Sequence, residues 1–227
     1  MSLPRVLVGC PTSDYKAYCL TDYADAVKQL SYPNYDILLV DNSETDGYAK
    51  EITKQGLPVV RSPFHPGALQ RIVESRNRLR QEALERGYGY LLSLEQDVIP
   101  PKDVIERLLR LRKGIATGIY FNRGQGRLIP LLGIDRGEEK FAYVPEELLA
   151  QVKGAMRVDY CGLGCVLIHH RVLQEIPFRV EEDKAGFDDW WFCVDAKSKG
   201  HDIFALPDLT CKHLLKGRPW SWKEMRL

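Results

Sequence analysis

The chain has 227 residues, enough to build one large hydrophobic core. Its 44% hydrophobic and 28% charged residues are ordinary for a globular protein, which excludes fibrous and disordered classes. The 32 basic and 31 acidic residues leave a formal charge of +1, so nucleic acid is not an expected partner.

Apolar runs and cysteines bear on the location of the protein. No apolar run approaches the roughly 18 to 20 residues that span a bilayer, and the first one is too short for a signal-peptide core. We therefore expect a cytoplasmic protein. Its six cysteines are thinly spread, which argues against a disulfide framework and favours buried apolar cysteines. A structural zinc site is the rival for the three cysteines near the C-terminal histidine, Cys161, Cys165 and Cys211.

Strands and helices are predicted to alternate along the first half of the chain. Apolar runs indicate strands at 5–9, 37–40, 57–60 and 90–94, and apolar residues at helical spacing indicate helices at about 20–30, 67–87 and 104–109. The strands are continuous apolar runs, which is typical of a mostly parallel sheet covered on both faces. The predicted class is α/β, with a mostly parallel central sheet flanked by helices.

The second half is less regular. Residues 122–140 are rich in glycine and charge and predict loops or a hairpin, whereas 158–169 predicts a strand, 188–199 a helix and 203–206 a last strand. No repeat or linker stands out, so we predict one domain. We divide it into a first half, 1–100, a second half, 101–213, and a tail, 214–227.

Polar clusters follow three of the predicted strands. They are Pro11-Thr12, Asp41-Asn42 and the triplet Glu95-Gln96-Asp97. In parallel sheets ligands bind beyond the carboxyl ends of the strands, so these clusters should meet at one edge.

Two charged features of this edge suggest phosphate and metal chemistry. Glu95 and Asp97, two residues apart after a buried strand, can approach one Mg²⁺ or Mn²⁺ ion; the alternative is a polar loop in which Asp97 caps the next helix. Arg76 lies in the inward stripe of the preceding helix and needs an anionic partner, either a protein carboxylate or a phosphate. The stripe consists of Leu69, Ile72, Val73, Leu79 and Ala83.

Further candidates lie in the second half. Gly162 and Gly164 either let a sugar approach the backbone or mark a tight strand bend. Of Trp190 and Trp191, at least one is expected in the core, and the other could stack on a sugar. Asp188 and Asp189 begin a helix, where capping is the simplest role. The tail with Trp220 and Trp222 either folds over the donor, touches an anionic membrane surface, or packs locally.

Six segments occur in an order that resembles the family 2-type glycosyltransferases of the GT-A fold. They are Pro11-Thr12, LLVDNSETDGY, SRNRLRQEALERGYGYLLSLEQDVIPP, GLGCVLI, FDDWWFCVDAKSKGH and CKHL. The resemblance covers nearly the whole chain, from Val6 to His213. Each segment alone is weak, but their order is specific.

The resemblance implies that residues 1–100 form a nucleotide-binding half and residues 101–213 an acceptor- and metal-completing half. It also implies a role for each matching residue. Pro11, Thr12 and Asp41 would line the nucleotide pocket, and Arg76 and Asn77 would lie beside the diphosphate. Asp97 would be the last acid of the metal-binding Asp-x-Asp, with Glu95, a departure from the family pattern, at the first acid and His213 completing the shell. Gln96 is grouped with the nucleotide pocket. Asp188 and Asp189 match an acidic pair whose second member is the base in inverting members.

The predicted function is transfer of a sugar from a UDP- or GDP-linked donor to an acceptor hydroxyl, with Mn²⁺ or Mg²⁺ as cofactor and Asp189 as base. The acceptor would be a glycan, a lipid-linked molecule or a small molecule. One alternative is a nucleotidyltransferase acting on sugar phosphates, although the loop GCPTSDYK lacks the expected glycine-rich signature. A non-catalytic nucleotide- or carbohydrate-binding module is another. The missing G-x-G-x-x-G disfavours a dinucleotide-dependent oxidoreductase.

Overall fold

A mixed eight-stranded sheet with helices on both faces organises the molecule. The computed structural model describes residues 3–124, 127–137, 141–181, 184 and 186–216. The helices are α1 (Leu20–Lys28), α2 (Gly47–Lys54), α3 (Ala68–Glu85), α4 (Val104–Arg110), α5 (Glu146–Gln151), α6 (His170–Glu175) and α7 (Asp188–Ser198), with a 3₁₀ helix at Asp14–Cys19.

The strands of the first half are β1 (Val6–Thr12), β2 (Tyr35–Asp41), β3 (Val59–Arg61), β4 (Tyr90–Leu94), β5 (Val98–Ile99), β6 (Ile115–Ile119) and β7 (Phe121–Gly124). Those of the second half are β8 (Arg127–Pro130), β9 (Leu132–Asp135), β10 (Phe141–Tyr143), β11 (Met156–Val158), β12 (Tyr160–Cys161), β13 (Cys165–His169), β14 (Ile203–Thr210) and β15 (Lys212–His213). The predicted α/β class is confirmed.

The order of strands in the main sheet is β11-β14-β6-β13-β4-β1-β2-β3. The pairs β1–β2, β2–β3, β1–β4 and β6–β14 are parallel, whereas β13 runs antiparallel between β4 and β6. Thr12 and Asp41 are register partners at the carboxyl ends of β1 and β2. The sheet therefore brings the first two predicted polar clusters side by side.

Both faces of the main sheet are apolar and are covered by helices. Strands β1, β4 and β6 are almost fully buried, as their continuous apolar runs predict. One face packs on α1 and α4 through residues such as Tyr23 and Ile105, and the other packs on α3 and α7 through Leu79 and Phe192. All six cysteines are free and buried, in agreement with the sequence.

Three local features differ from the sequence interpretation. Helix α2 was not predicted, because its short apolar pattern, Tyr48 and Ile52, is confined to one face of eight residues. The predicted strand over 158–169 is divided into β12 and β13 by a turn at 162–164. In α3 the inward stripe begins later than expected: Leu69 is 37% exposed, whereas Arg76, Leu79 and Ala83 are buried.

The predicted hairpin is present as β7 paired with β8. In the part of the chain described, no helix is both long enough and apolar enough to cross a membrane. The tail with Trp220 and Trp222 lies outside the described residues.

Candidate active site

Gln96 joins the polar clusters at the end of β1 and β4. The Thr12 hydroxyl donates to its side-chain oxygen, and its side-chain nitrogen donates to the Lys16 carbonyl and the Tyr48 hydroxyl, both at 2.7 Å. Gln96 is 1% exposed, so these bonds use its polar groups inside the protein. Its position beside Thr12 agrees with the prediction that the polar clusters meet at one edge of the sheet. Its hydrogen bonds link β1 and α2 to the acidic triplet, so the role of its side chain here is structural.

Asp41, at the end of β2, has an unusual environment for a carboxylate. It is fully buried, and its Oδ1 accepts hydrogen bonds from the Ser43 backbone (3.0 Å) and hydroxyl (2.5 Å). Its Oδ2 has no hydrogen-bond partner among the described residues, and the nearest cationic atom, Arg61 Nε, is 4.0 Å away. A buried carboxylate oxygen is costly without a partner, so Asp41 has an unused hydrogen-bond acceptor at this edge, and its predicted contact with a nucleotide stays a prediction.

Asp97 and His213 form the second pair of polar groups at this edge. His213 Nε2 is 3.4 Å from Asp97 Oδ2, and its Nδ1 lies 2.8 Å from the Phe121 carbonyl. Because a carbonyl only accepts, Nδ1 must donate to it, and Nε2 is thereby turned towards Asp97. Pairing of β15 with β5 produces this contact, since it places His213 opposite Val98.

The charge of Asp97 is strongly favoured. Burial acts to raise the pKa of Asp97, but the hydrogen bond from His213 and the positive charge of Lys16 outweigh it and lower the pKa to about 2. Burial in turn opposes protonation of His213, but Asp97 outweighs it and raises the pKa of the imidazole. Lys16 forms an ion pair with the same Oδ2. The site therefore holds a permanent carboxylate beside basic groups.

Arg76 connects the acidic triplet to the acidic pair of α7. It is 2% exposed; its Nε donates to Asp188, its Nη1 to Ser93 (2.7 Å) and its Nη2 to Glu95 (2.5 Å). Of the two partners expected for Arg76, the structure shows the protein carboxylates. Glu95 is accordingly directed to Arg76, and Asp188 is occupied by the same guanidinium rather than capping α7.

Asp189 is the acid of α7 that remains available to a ligand. It is half-buried; its Oδ2 accepts a hydrogen bond from the Tyr160 hydroxyl and its Oδ1 from the Trp190 backbone, both at 2.7 Å. Burial and the adjacent Asp188 raise the pKa of Asp189 to about 6, against the opposing effect of the Tyr160 hydrogen bond. A carboxylate with a pKa in this range can take up and release a proton near neutral pH.

The glycines predicted to border a sugar have a different neighbour. A Cβ on Gly162 would lie 2.3 Å from the Tyr120 hydroxyl, and one on Gly164 would lie 2.6 Å from Tyr120 Cζ. The Gly164 backbone also donates to that hydroxyl at 2.9 Å. The buried Tyr120 ring therefore fills the space on the Cβ side of both glycines, and their predicted contact with a sugar stays a prediction.

The two tryptophans of α7 divide as expected, with Trp191 2% exposed in the core. Trp190 is half-buried, and its ring centroid lies 6.3 Å from that of Tyr160. Its neighbours place it close to Asp189, where a role towards a sugar remains a prediction.

Within the described part of the chain, Asn77 and Pro11 take no part in the hydrogen bonds that link Arg76, Asp97 and Asp189 to their neighbours. The Asn77 side chain donates to the Phe178 carbonyl (2.7 Å) and accepts from the Phe178 amide (3.0 Å). The side-chain nitrogen and oxygen of Asn77 are thus both used to anchor the segment before α7. The predicted contact of Asn77 with a diphosphate has no support in this arrangement. Pro11 lies in β1 opposite Val40 and is half-buried.

Tyr160, Tyr120 and Lys16 were not singled out from the sequence. Tyr160 and Tyr120 lie outside the six segments that resemble the family, and Lys16 is one of several lysines in the first half. Their importance depends on partners 29, 44 and 81 positions away in sequence, Asp189, Gly164 and Asp97. A weak signal was present for Lys16, since it follows the first predicted strand.

The side chains around Asp97 determine whether this edge could hold a divalent ion. Within the described residues no group of three or more His, Cys, Asp or Glu converges on a metal position. Asp97 and His213 do fit, because Asp97 Oδ1 is buried without a hydrogen-bond partner there and His213 directs Nε2 to the same carboxylate. Glu95 is held by Arg76 through Oε1, and its predicted role as a metal ligand stays a prediction.

Comparison with known proteins supports the architecture. No protein-family model and no curated protein matches the sequence. Among solved structures, the chain is similar to GalNAc-T7 with UDP, GalNAc and Mn²⁺, at a TM-score of 0.72 and 15% identity over 95% of this chain and 45% of that one. It is also similar to the mannosyltransferase PcManGT from Pyrobaculum calidifontis in complex with GDP-Man and Mn²⁺, at 0.66 and 16% over 97% and 59%. The chain has a GT-A-like fold.

A further GT-A structure, TarS of S. aureus, matches at a TM-score of 0.63 and 14% identity over 93% of this chain and 37% of that one. The chain thus spans about half the length of the first two GT-A structures, 45% and 59%. At these identities the GT-A likeness is one of fold, and the chemistry has to be argued from the residues.

Proposed function

We propose that the chain is a metal-dependent glycosyltransferase that moves a sugar from a nucleoside-diphosphate sugar to an acceptor hydroxyl with inversion. The observation that carries this proposal is the Arg76 network. Arg76 binds Glu95, which adjoins the Asp97–His213 pair, and Asp188, which adjoins Asp189, an acid without an ion pair among the described residues. One buried guanidinium therefore holds the proposed donor side and the proposed base in a fixed relation.

The donor side is formed by the ends of β1, β2 and β4. The buried Asp41 Oδ2 would accept a hydrogen bond from the base or ribose, and Thr12, its register partner on β1, would lie beside the same nucleotide. Asp97 and His213 would hold Mn²⁺ or Mg²⁺, which supplies neutralisation of the charge that develops on the departing nucleoside diphosphate. The GalNAc-T7 and PcManGT structures contain UDP and GDP-Man, respectively, each with Mn²⁺, which supports a UDP- or GDP-linked donor.

Asp189 would act as the base. Its ionised carboxylate takes the proton of the acceptor hydroxyl as that oxygen bonds to the anomeric carbon and the bond from this carbon to the diphosphate breaks. Positioned bases of this kind contribute about 10²- to 10⁴-fold. Asp188 and Arg76 act as positioning residues, because their charges are satisfied by each other. Trp190, beside the base, would contact the sugar or acceptor.

Thermal unfolding with UDP, GDP and CMP, each with and without Mn²⁺, tests the donor side. We expect one nucleoside diphosphate to raise the melting temperature only with Mn²⁺, because Asp97 would hold the ion and the ion would supply the positive charge that stabilises a bound diphosphate. Asp97→Ala should abolish the increase, whereas Asp25→Ala, an exposed acid on α1, should retain it. The proposal fails if no nucleotide stabilises the wild type.

Incubation with the matching nucleotide sugar then separates the alternatives. Release of nucleoside diphosphate, reduced in Asp189→Asn, indicates a transferase. Binding without turnover would indicate a non-catalytic module, and formation of nucleotide sugar from sugar phosphate and nucleoside triphosphate would indicate a nucleotidyltransferase.

A further inference from the structure

Lys16 forms an ion pair with the carboxylate proposed to bind the metal. Its ammonium contacts Asp97 Oδ2, the oxygen that also faces His213 Nε2 at 3.4 Å. The Tyr18 hydroxyl lies 3.5 Å from the same oxygen but donates to the Leu214 carbonyl at 2.7 Å. Asp97 is thus approached by two basic side chains through one oxygen, while its Oδ1 has no hydrogen-bond partner among the described residues.

The backbone of Lys16 is fixed, but its side chain has a route outwards. The Lys16 amide donates to the Ser13 carbonyl at 2.8 Å, and its carbonyl accepts from Gln96 at 2.7 Å. The Lys16 side chain is 28% exposed, whereas the Asp97 side chain is 5% exposed. A rotation of the lysine side chain therefore suffices to release the carboxylate without moving the 3₁₀ helix.

An ammonium and a divalent ion repel each other strongly when both contact one buried carboxylate, because little water screens them. The flexible lysine is the partner able to leave. An anionic phosphate beside the ion would then be its natural new partner, since a lysine ammonium binds phosphate as a point charge.

We propose that Lys16 and the divalent ion compete for Asp97, and that the displaced Lys16 ammonium binds the diphosphate of the donor. Only the second part of this proposal, in which Lys16 binds the diphosphate, rests on the proposed function. Two consequences follow. Lys16 weakens binding of the ion alone, and it makes the ion and the diphosphate bind cooperatively, because each favours the state in which the lysine has left Asp97.

Calorimetric titration with Mn²⁺ alone tests the competition. Lys16→Met removes the charge and keeps the length of the side chain, so we expect it to bind Mn²⁺ about tenfold or more tightly than the wild type. Lys16→Arg should resemble the wild type, and Lys54→Met, an exposed lysine on α2, should leave the affinity unchanged. Circular dichroism checks folding, and Lys16→Gln serves if Lys16→Met does not fold.

A second titration, with UDP and GDP present at saturation, tests the transfer to diphosphate. In the wild type the diphosphate should increase the Mn²⁺ affinity by a larger factor than in Lys16→Met. Equal or weaker binding of Mn²⁺ alone by folded Lys16→Met or Lys16→Gln would overturn the competition, as would undetectable binding by both wild type and variant. If neither diphosphate binds, the proposed function fails, but the comparison with Mn²⁺ alone still decides the competition.

Discussion

The hydrogen bond from Tyr160 to Asp189 predicts a measurable change in the acidity of the proposed base. Tyr160→Phe keeps the ring and removes only the hydroxyl that donates to Asp189 Oδ2 at 2.7 Å. That bond lowers the pKa of Asp189 against burial and Asp188, which raise it, and the net value with the bond present is about 6. The variant should therefore have a higher Asp189 pKa than the wild type.

The size of the increase follows from the strength of the bond. A hydrogen bond to a charged group contributes about 1.5 to 3 kcal/mol, and a pKa difference of one corresponds to about 1.36 kcal/mol. Because Asp189 is half-buried, so that solvent replaces part of the lost interaction, the lower end applies. We expect the pKa to rise by about 1, to about 7.

Carbon-13 NMR of the aspartate carboxyl groups measures this pKa without any assumption about substrate. Asp189→Asn assigns the resonance, and Tyr143→Phe, an exposed tyrosine on β10, is the matched control. If transfer activity is established, the acidic limb of its pH profile should move upwards by the same amount. A wild-type Asp189 pKa near 4, or an unchanged midpoint in Tyr160→Phe, would refute the reasoning.

The same carboxylate links stability to pH. Its folded pKa is raised above the unfolded value, so the folded state binds the proton more tightly and stability falls as pH rises from about 4 to about 6. In Tyr160→Phe this fall should continue to about pH 7, because the folded pKa is higher. Urea unfolding should therefore show that the variant loses more free energy of unfolding between pH 5 and pH 8 than the wild type does. A difference between variant and wild type that is the same at both pH values would contradict the assignment.

Three further predictions concern the site and its support. Arg76→Met leaves two inward carboxylates without their cation and should lower the free energy of unfolding by about 3 to 5 kcal/mol. Arg78→Met, at an exposed position nearby, removes only a helical ion pair and should lower it by about 0.5 kcal/mol or less. Equal losses in urea unfolding would contradict the network. Gly164→Ala places a Cβ 2.6 Å from a buried tyrosine ring and should lower the free energy of unfolding by about 1 to 3 kcal/mol. Gly47→Ala should change it little, because the nearest atom to its Cβ is 3.6 Å away. Similar melting temperatures for the two variants would show that the ring moves freely. Asp189→Asn should reduce transfer by about 10²- to 10⁴-fold while retaining nucleotide binding, and undiminished turnover in a product-release assay would exclude the base role.

The sequence alone determined the elements that position the site. Continuous apolar runs predicted β1, β2 and β4, and the Tyr90–Leu94 strand has the predicted bounds. The burial of Arg76 followed from helical spacing, and the convergence of Thr12 with Gln96 from the geometry of parallel sheets. These inferences succeeded because the face that a residue presents is set by the local period of the helix or strand.

Only the tertiary structure decided which side chains meet. Local periodicity showed that Arg76 points inwards, but the choice between phosphate and carboxylate depended on Asp188, which is 112 positions away in sequence. Likewise, Gly162 and Gly164 are small because Tyr120 packs against them, and Lys16 reaches Asp97 across 81 positions. Such pairings depend on how strands order within the sheet and where loops cross its edge, information that no single segment of sequence contains.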